Sequence, residues 1–418
     1  MNSIELSKTD RRLRGRIELT GSKSVANRAL IIQALSEAPI TLEGVAASQD
    51  TQTLQRLLQT RPIVYDCGPA GTTYRFLTAY LALQPDVQVL TGSERMKQRP
   101  IGPLVDALRA LGADIDYLER VGYPPLKIGH AGPLVGGQLS IAADTSSQFI
   151  SALLLVAPLF DKGLSLRLAG RIVSRPYIQM TLDLMQHFGV MHRWKDNIIK
   201  IAPQDYAGGS LRIEADWSAA SYYYSMAAMA DEVDLELGGL FENSTQGDRA
   251  IVQIMERFGV ETSFRDAGIR LSKDEATAKR VVEQDFLTCP DLAQTVAVAC
   301  VGTGRMGLFS GLETLKIKET DRVAALKTEL GKVQGYFYKA PPQMSKQSDR
   351  SYYVVEGKAR WSTPPAFDTY EDHRMAMAFA PLAMHGAIRI REPRVVGKSY
   401  PAFWNDLRRL GFEVREMG

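Results

Sequence analysis

Four times along this chain an amphipathic stretch closes on leucine or phenylalanine, then glycine, then an extended run. These are ALRALG (107–112), LMQHFGV (184–190), IMERFGV (254–260) and LRRLGFEV (407–414). Glycine after a last helical turn supplies the left-handed cap that other residues adopt only at a cost. The recurrence predicts repeated helix-to-strand units, at spacings too irregular for a solenoid. Short β-like runs also precede helical ones: 16–19 before 24–36, 87–90 before 103–111, and 139–141 before 147–159. The class this predicts is α/β. A chain of 418 residues exceeds what one core normally organises, so two domains are expected.

The segment ADWSAASYYY (215–224) interrupts the alternation. Asp216 and Ser218 are placed to cap a helix beginning at Ala219, and the segment is the candidate return crossing between domains. KAPPQMSKQSDRS (339–351) combines prolines with small polar residues and reads as a surface loop. Fifty basic against 47 acidic side chains give a net charge of only +3, so any anion site must be a local cluster and nucleic acid is not a predicted partner. Cys67, Cys289 and Cys300 lack metal-type spacing and read as buried core residues of a reducing compartment. The histidines (His130, His187, His192, His373, His385) lack ligand spacing, so no metal is assigned. The first residues lack the apolar core of a signal peptide, and no apolar run reaches the roughly 20 residues of a membrane span. The expected location is the cytoplasm.

Five segments set basic side chains beside glycine, serine or carboxylate at the edges of elements. GSKSVANR (21–28) is a glycine turn running into a helix whose N–H groups and dipole favour an anion, with Lys23 and Arg28 adding charge. GPAGTTYR (68–75) is glycine-rich before an apolar helix, where backbone N–H groups can approach an oxyanion closely. TGSERMKQRP (91–100) packs three cations into five positions of a loop. LKIKETDR (315–322) alternates charge so that Lys318 and Arg322 fall one helical turn apart with Glu319 beside them. DTYEDHRMAMA (368–378) opens an apolar helix with His373 and Arg374, a pair suited to carboxylate or phosphate. Taken singly, each has an equally ordinary reading. These are a capped helix, a plain turn, a solvated loop, a salt-bridged helix, and Asp372 as a cap with His373 exposed.

Together, and in order, these segments resemble the shikimate-pathway branch of the enolpyruvyl transferase family, from about residue 15 to 412. GSKSVANRAL, AGTTYR, RMKQRPIG, SSQFISALL, VSRPYI, PDLAQT, KETDR and DHRMAMAFA carry the resemblance. It implies two domains of repeated βαβαββ units with helices inside their sheets, an inside-out α/β barrel in each. One domain would span 22–215 and the other 1–21 plus 216–418, with the active site in the cleft between them. The implied reaction moves the carboxyvinyl group of phosphoenolpyruvate to the 5-hydroxyl of shikimate 3-phosphate and releases phosphate, with no cofactor. These two small molecules are the implied partners, acting on a monomer away from membranes.

By the same resemblance, Lys23, Ser24, Arg28, Ser146, Ser147, Gln148, Ser174, Tyr177, Asp291 and Lys318 would hold shikimate 3-phosphate. Lys23, Gly71, Arg99, Gln148, Arg322, Arg374 and Lys398 would grip phosphoenolpyruvate, with Arg75 supporting its phosphate pocket from slightly further away; Thr72 and Thr314 are further implied substrate-binding residues. Asp291 is the implied base at the 5-hydroxyl, and Glu319 with Lys318 would handle the proton on the methyl-forming carbon, Lys23 completing the catalytic set. Between Asp50 and Gly71 the chain is shorter than the family usually is, which implies a truncated first repeat. By the same resemblance, Pro69 stands where asparagine or aspartate is common and Thr314 where asparagine is usual. Two rivals are a UDP-sugar enolpyruvyl transferase, disfavoured by RMKQRP where that enzyme has a cysteine loop, and a non-catalytic anion binder of the same fold.

Overall fold

In the computed structural model the described residues are 2–129, 132–144, 146–341, 343 and 350–417. His130 and most of the expected surface loop (342 and 344–349) lie outside them. The chain forms two compact units, an inserted one of 21–213 and a terminal one of 1–20 with 214–418. Glu214 and Ala215 fall in the terminal unit because their bonds are there. The Glu214 carboxylate accepts from Trp217 Nε1 at 2.8 Å, Phe241 N at 3.0 Å, Ser244 Oγ at 2.5 Å and Gln246 Nε2 at 2.8 Å. Ala215 N donates to Gly239 O at 2.9 Å.

Among the described residues the terminal unit contains three four-stranded sheets of one design. Arg12–Glu18 pairs in parallel with Glu232–Gly238, followed by antiparallel Gly268–Lys273 and Val260–Arg265. Val281–Asp285 and Met306–Ser310 form the second parallel pair, followed by Tyr353–Gly357 and Gly335–Lys339. Ala366–Phe367 and Ile388–Arg391 form the third, completed by Ser3–Ser7 and Glu413–Met417 from the two chain ends. Three helices, Trp217–Met229, Ala293–Thr303 and His373–Phe379, pack on one another inside these sheets. Their sequences explain the placement. AVACV and its neighbours are small and apolar all round, and such a helix is stable only where every face is covered.

The inserted unit repeats the design twice, in Val64–Asp66, Gln88–Thr91, Leu126–Ile128 and Ile115–Tyr117, and in Gly137–Ala142, Leu164–Ala169, Ile198–Ile201 and His192–Lys195. Its third sheet is only the parallel pair Ile40–Glu43 and Gly209–Arg212. The missing antiparallel strands would follow helix Gln49–Thr60, but Arg61 turns the chain at φ 42° and the next sheet starts at Val64. The truncation expected between Asp50 and Gly71 is therefore the loss of one strand pair. Lys23–Leu35, Gly71–Leu81 and Ser147–Val156 are the mutually packed inner helices.

All four predicted glycine caps have positive φ: Gly112 (106°), Gly189 (83°), Gly259 (80°) and Gly411 (82°). Gly304 (70°) caps helix Ala293–Thr303 in the same way, without the preceding leucine or phenylalanine. The helix expected from Ala219 begins at Trp217, because Asp216 alone caps it by accepting from Ser218 N at 2.8 Å. The loop 91–100 contains a short helix, Glu94–Lys97, capped by Ser93.

The caps differ in the space behind them. A Cβ at Gly112 meets nothing within 4 Å, whereas at Gly259 it would stand 2.5 Å from Asp274 O. Gly112→Ala should cost about 1 kcal/mol of unfolding free energy for left-handed strain alone. Gly259→Ala should cost clearly more, and urea titration of the two variants measures the difference.

Candidate functional site

Within the inserted unit most of the predicted residues collect at the starts of its three inner helices, with Arg99, Ser174 and Tyr177 on other segments. Lys23 Nζ sits 3.1 Å from Asp50 Oδ2, and Thr73 Oγ1 donates to Asp50 O at 3.0 Å. Gln148 Nε2 donates to Thr72 Oγ1 at 3.0 Å, so all three helix starts are joined by hydrogen bonds. None has an acidic residue in its first turn, and Ser22 and Ala70 provide no side-chain cap. Uncompensated N–H groups at helix starts favour an anion. Gly71 leaves room for two guanidinium groups. A Cβ there would collide with the guanidinium groups of Arg99 and Arg75. Arg75 Nη1 donates to Gly71 O at 3.0 Å and lies over the Phe149 ring. Of the three cations at 95–99 only Arg99 is buried; Arg95 is exposed and Lys97 pairs with Glu119 at 2.9 Å.

Arg28 is enclosed. It donates to Thr181 Oγ1 (2.7 Å), Ser24 O (2.7 Å), Ser151 Oγ (3.1 Å) and Tyr177 O (3.3 Å), and burial lowers its pKa to about 10. It thus braces two other predicted residues, Ser24 and Tyr177. Ser146 caps the helix Ser147–Val156 through Gln148 N, and Ser174 is buried with φ 54° before helix Arg175–His187.

In the terminal unit the sites converge on Arg322, whose side chain is 1% exposed. Its Nη1 reaches Asp291 Oδ1 at 2.8 Å, Nη2 reaches Glu319 Oε2 at 2.8 Å, and Nε reaches Asp372 Oδ2 at 2.7 Å. Arg374 Nη2 holds the other Asp291 oxygen at 2.9 Å, and Lys318 Nζ stands 3.8 Å from Asp291. Burial alone would raise the Asp291 carboxyl, but Arg374, Lys318 and Arg322 outweigh it and keep it far below the usual carboxylate range. Burial lowers the Lys318 ammonium, with Asp291 opposing. Thr314 is buried in the turn Glu313–Ile317, and Lys398 Nζ donates to Glu371 O at 2.8 Å.

One expected arrangement is corrected. Lys318 and Arg322 do not share a helical face, since Lys318 is extended (φ −82°, ψ −151°) and the helix begins at Arg322. Asp321 takes the cap instead, accepting from Val323 N and Ala324 N at 3.1 Å. The two cations meet over Asp291 through this bend. His373, exposed in the ordinary reading of its segment, is buried, while Asp372 does cap its helix by accepting from Arg374 N at 2.9 Å.

The EPSP synthase (3-phosphoshikimate 1-carboxyvinyltransferase) sequence profile matches residues 7–60 and 54–407. The chain belongs to this family. A 3-phosphoshikimate 1-carboxyvinyltransferase of Bacteroides fragilis is 46% identical over 405 residues, covering 96% of this chain and 97% of its own. One from Haemophilus ducreyi is 33% identical over 446 residues, covering 98% and 99%. That alignment is longer than the present chain, so it contains gaps. The two profile stretches meet at 54–60, beside the missing strand pair. In fold, the chain is similar to EPSP synthase from Acinetobacter baumannii, with TM-score 0.78, 20% identity, and coverage of 99% of this chain and 100% of that one.

Four groups of this arrangement have no signal in the sequence: Asp50, Asp248, Asp372 as a ligand of Arg322, and the Glu371 carbonyl. Asp50 lies in the first turn of a helix 27 positions from Lys23, and no spacing rule ties the two. Asp248, buried in a short 3-10 turn, accepts from Ser218 Oγ. Burial, with Asp291 adding, raises its pKa to about 7. All three cysteines are buried, and burial pushes the Cys289 thiol up to about 12, so they are inert at neutral pH. Among the described residues no three potential metal ligands cluster, and no helix is long and apolar enough to cross a membrane.

Arg322→Met should destabilise the protein by about 3–5 kcal/mol in chemical denaturation, because Asp372 and Asp291 would be left buried without their cation. For Asp248 the raised pKa favours folding fully below about pH 4 and loses that contribution as pH rises to about 7. Asp248→Asn should therefore raise Tm, relative to the parent, more at pH 8 than at pH 5.

Proposed function

We propose that this chain carries out the reaction in its family's name, transferring the carboxyvinyl group of phosphoenolpyruvate to the 5-hydroxyl of shikimate 3-phosphate. The observation that carries this reading is Asp291, an ionised carboxylate enclosed by Lys318, Arg322 and Arg374, with Glu319 on the far side of Arg322. A site that only bound anions would gain from the cations but not from carboxylates set among them.

On this reading Lys23, Ser24, Arg28, Ser146, Ser147, Gln148, Ser174, Tyr177, Asp291 and Lys318 hold shikimate 3-phosphate. Lys23, Gly71, Arg75, Arg99, Gln148, Arg322, Arg374 and Lys398 serve phosphoenolpyruvate, and Thr72 and Thr314 complete the substrate-binding set. The substrates draw on groups of both units. Three helix starts and several guanidinium groups fix their phosphates and carboxylates, which supplies most of the orientation the reaction needs.

The chemistry then needs one proton removed and one added. Asp291 accepts the proton of the 5-hydroxyl, whose oxygen bonds to carbon 2 of phosphoenolpyruvate. Glu319, with Lys318, delivers a proton to carbon 3, which becomes a methyl group. The tetrahedral adduct returns that methyl proton and expels phosphate, which restores the double bond on the product. Asp291 alone is too weakly basic for its part, because its cations hold it ionised. Bound anions compete for the same cations, and that competition raises its basicity when the substrates are in place. A cytoplasmic monomer is the form in which we propose this occurs.

Phosphate release from phosphoenolpyruvate and shikimate 3-phosphate tests the reading. Turnover is expected, and Asp291→Asn and Glu319→Gln should each lower kcat by at least about 100-fold. Tight binding of both substrates without any turnover would favour the non-catalytic anion binder instead.

A further inference from the structure

The segment before helix His373–Phe379 is strained. Tyr370 (φ 53°) and Glu371 (φ 56°) are consecutive non-glycine residues in the left-handed region, and Glu392 (φ 51°) is a third nearby. Such residues persist where their surroundings over-determine them. Here the buried face of helix Arg322–Gly331 does so at two points. Arg322 grips Asp372 at the end of the segment. Seven residues on, two turns along the same face, the fully buried Glu329 grips its beginning. Glu329 Oε1 accepts from Tyr370 Oη at 2.6 Å, and Oε2 accepts from Asp368 N at 3.0 Å and from Lys332 Nζ at 2.7 Å. Lys332 also reaches Ala366 O at 2.8 Å and Asp368 Oδ2 at 2.9 Å, while Arg391 holds the other Asp368 oxygen at 2.8 Å.

What this anchoring presents is the Glu371 carbonyl, aimed by the left-handed turn at Lys398 Nζ, 2.8 Å away. The same turn delivers Asp372 as the cap that starts the helix bearing Arg374. We propose that Glu329, through Tyr370, is a positioning residue for the phosphoenolpyruvate side of the site: it holds the turn that sets Lys398 and Arg374. The proposal rests on the reading above that these two cations grip phosphoenolpyruvate. Neither Glu329 nor Tyr370 needs to touch substrate.

The test is steady-state kinetics of the full chain with each substrate varied in turn. Tyr370→Phe removes one hydroxyl at the half-open side of the turn, and Glu329→Gln alters the buried anchor. Each should raise KM for phosphoenolpyruvate about tenfold, the scale of one lost hydrogen bond, and leave KM for shikimate 3-phosphate within about twofold. Glu371→Asn keeps the carbonyl while tolerating the left-handed conformation, so adding it to Tyr370→Phe should restore KM for phosphoenolpyruvate. If Tyr370→Phe leaves both KM values unchanged, or raises both equally, while Lys398→Ala raises only that for phosphoenolpyruvate, the positioning role is wrong. If Lys398→Ala leaves KM for phosphoenolpyruvate unchanged, the reading of Lys398 fails and the proposal with it. Should Glu329→Gln not fold, the Tyr370→Phe pair decides by itself.

Discussion

A single guanidinium, that of Arg322, is shared among three carboxylates from three different elements, and the terminal unit's chemistry is organised around it. Removing a cation from water is tolerable only when its partners neutralise it and take up its donors. Asp372 closes that requirement from a helix start, Asp291 from the turn before another inner helix, and Glu319 from the bend that precedes Arg322 itself. The pairing also determines the state of Asp291. Its surroundings would otherwise favour the protonated acid, and the cations reverse that preference.

The two units solve the problem of a helix start differently. In the terminal unit two inner helices are capped by aspartates, Asp216 and Asp372, and at Asp372 the positive charge comes from the Arg322 side chain. In the inserted unit Ser22 and Ala70 leave their helix starts without a side-chain cap, so positive potential comes from backbone N–H groups and dipoles. Glycine at 71 lets Arg75 and Arg99 lie against the backbone itself, where a Cβ would force both guanidinium groups to shift. The first arrangement suits groups that exchange protons; the second suits fixed grip on phosphate.

The fold tolerates the loss of two strands because of where they are lost. The inner helices and the parallel strand pairs carry the core, and Ile40–Glu43 with Gly209–Arg212 retain that pair. Helix Gln49–Thr60 is also retained, and with it Asp50 at the Lys23 ammonium. The deletion thus removes the outer, antiparallel part of one repeat while leaving the helix starts in place.

Local chemistry made part of this legible in the sequence. Glycine caps were readable because a positive φ excludes most other residues, and the alternation of strand and helix was readable because each has its own hydrophobic period. The family resemblance brought the candidate site residues together, yet spacing alone misassigned Lys318 and Arg322 to one helical face. Only the tertiary structure decided which charges meet. Arg322 and Asp372 are 50 positions apart and Lys23 and Asp50 are 27 apart, and no local rule relates them. The same holds for Glu329 and Tyr370. A buried ion pair is made by whichever elements the packing brings together, and its sequence separation carries no physical signal.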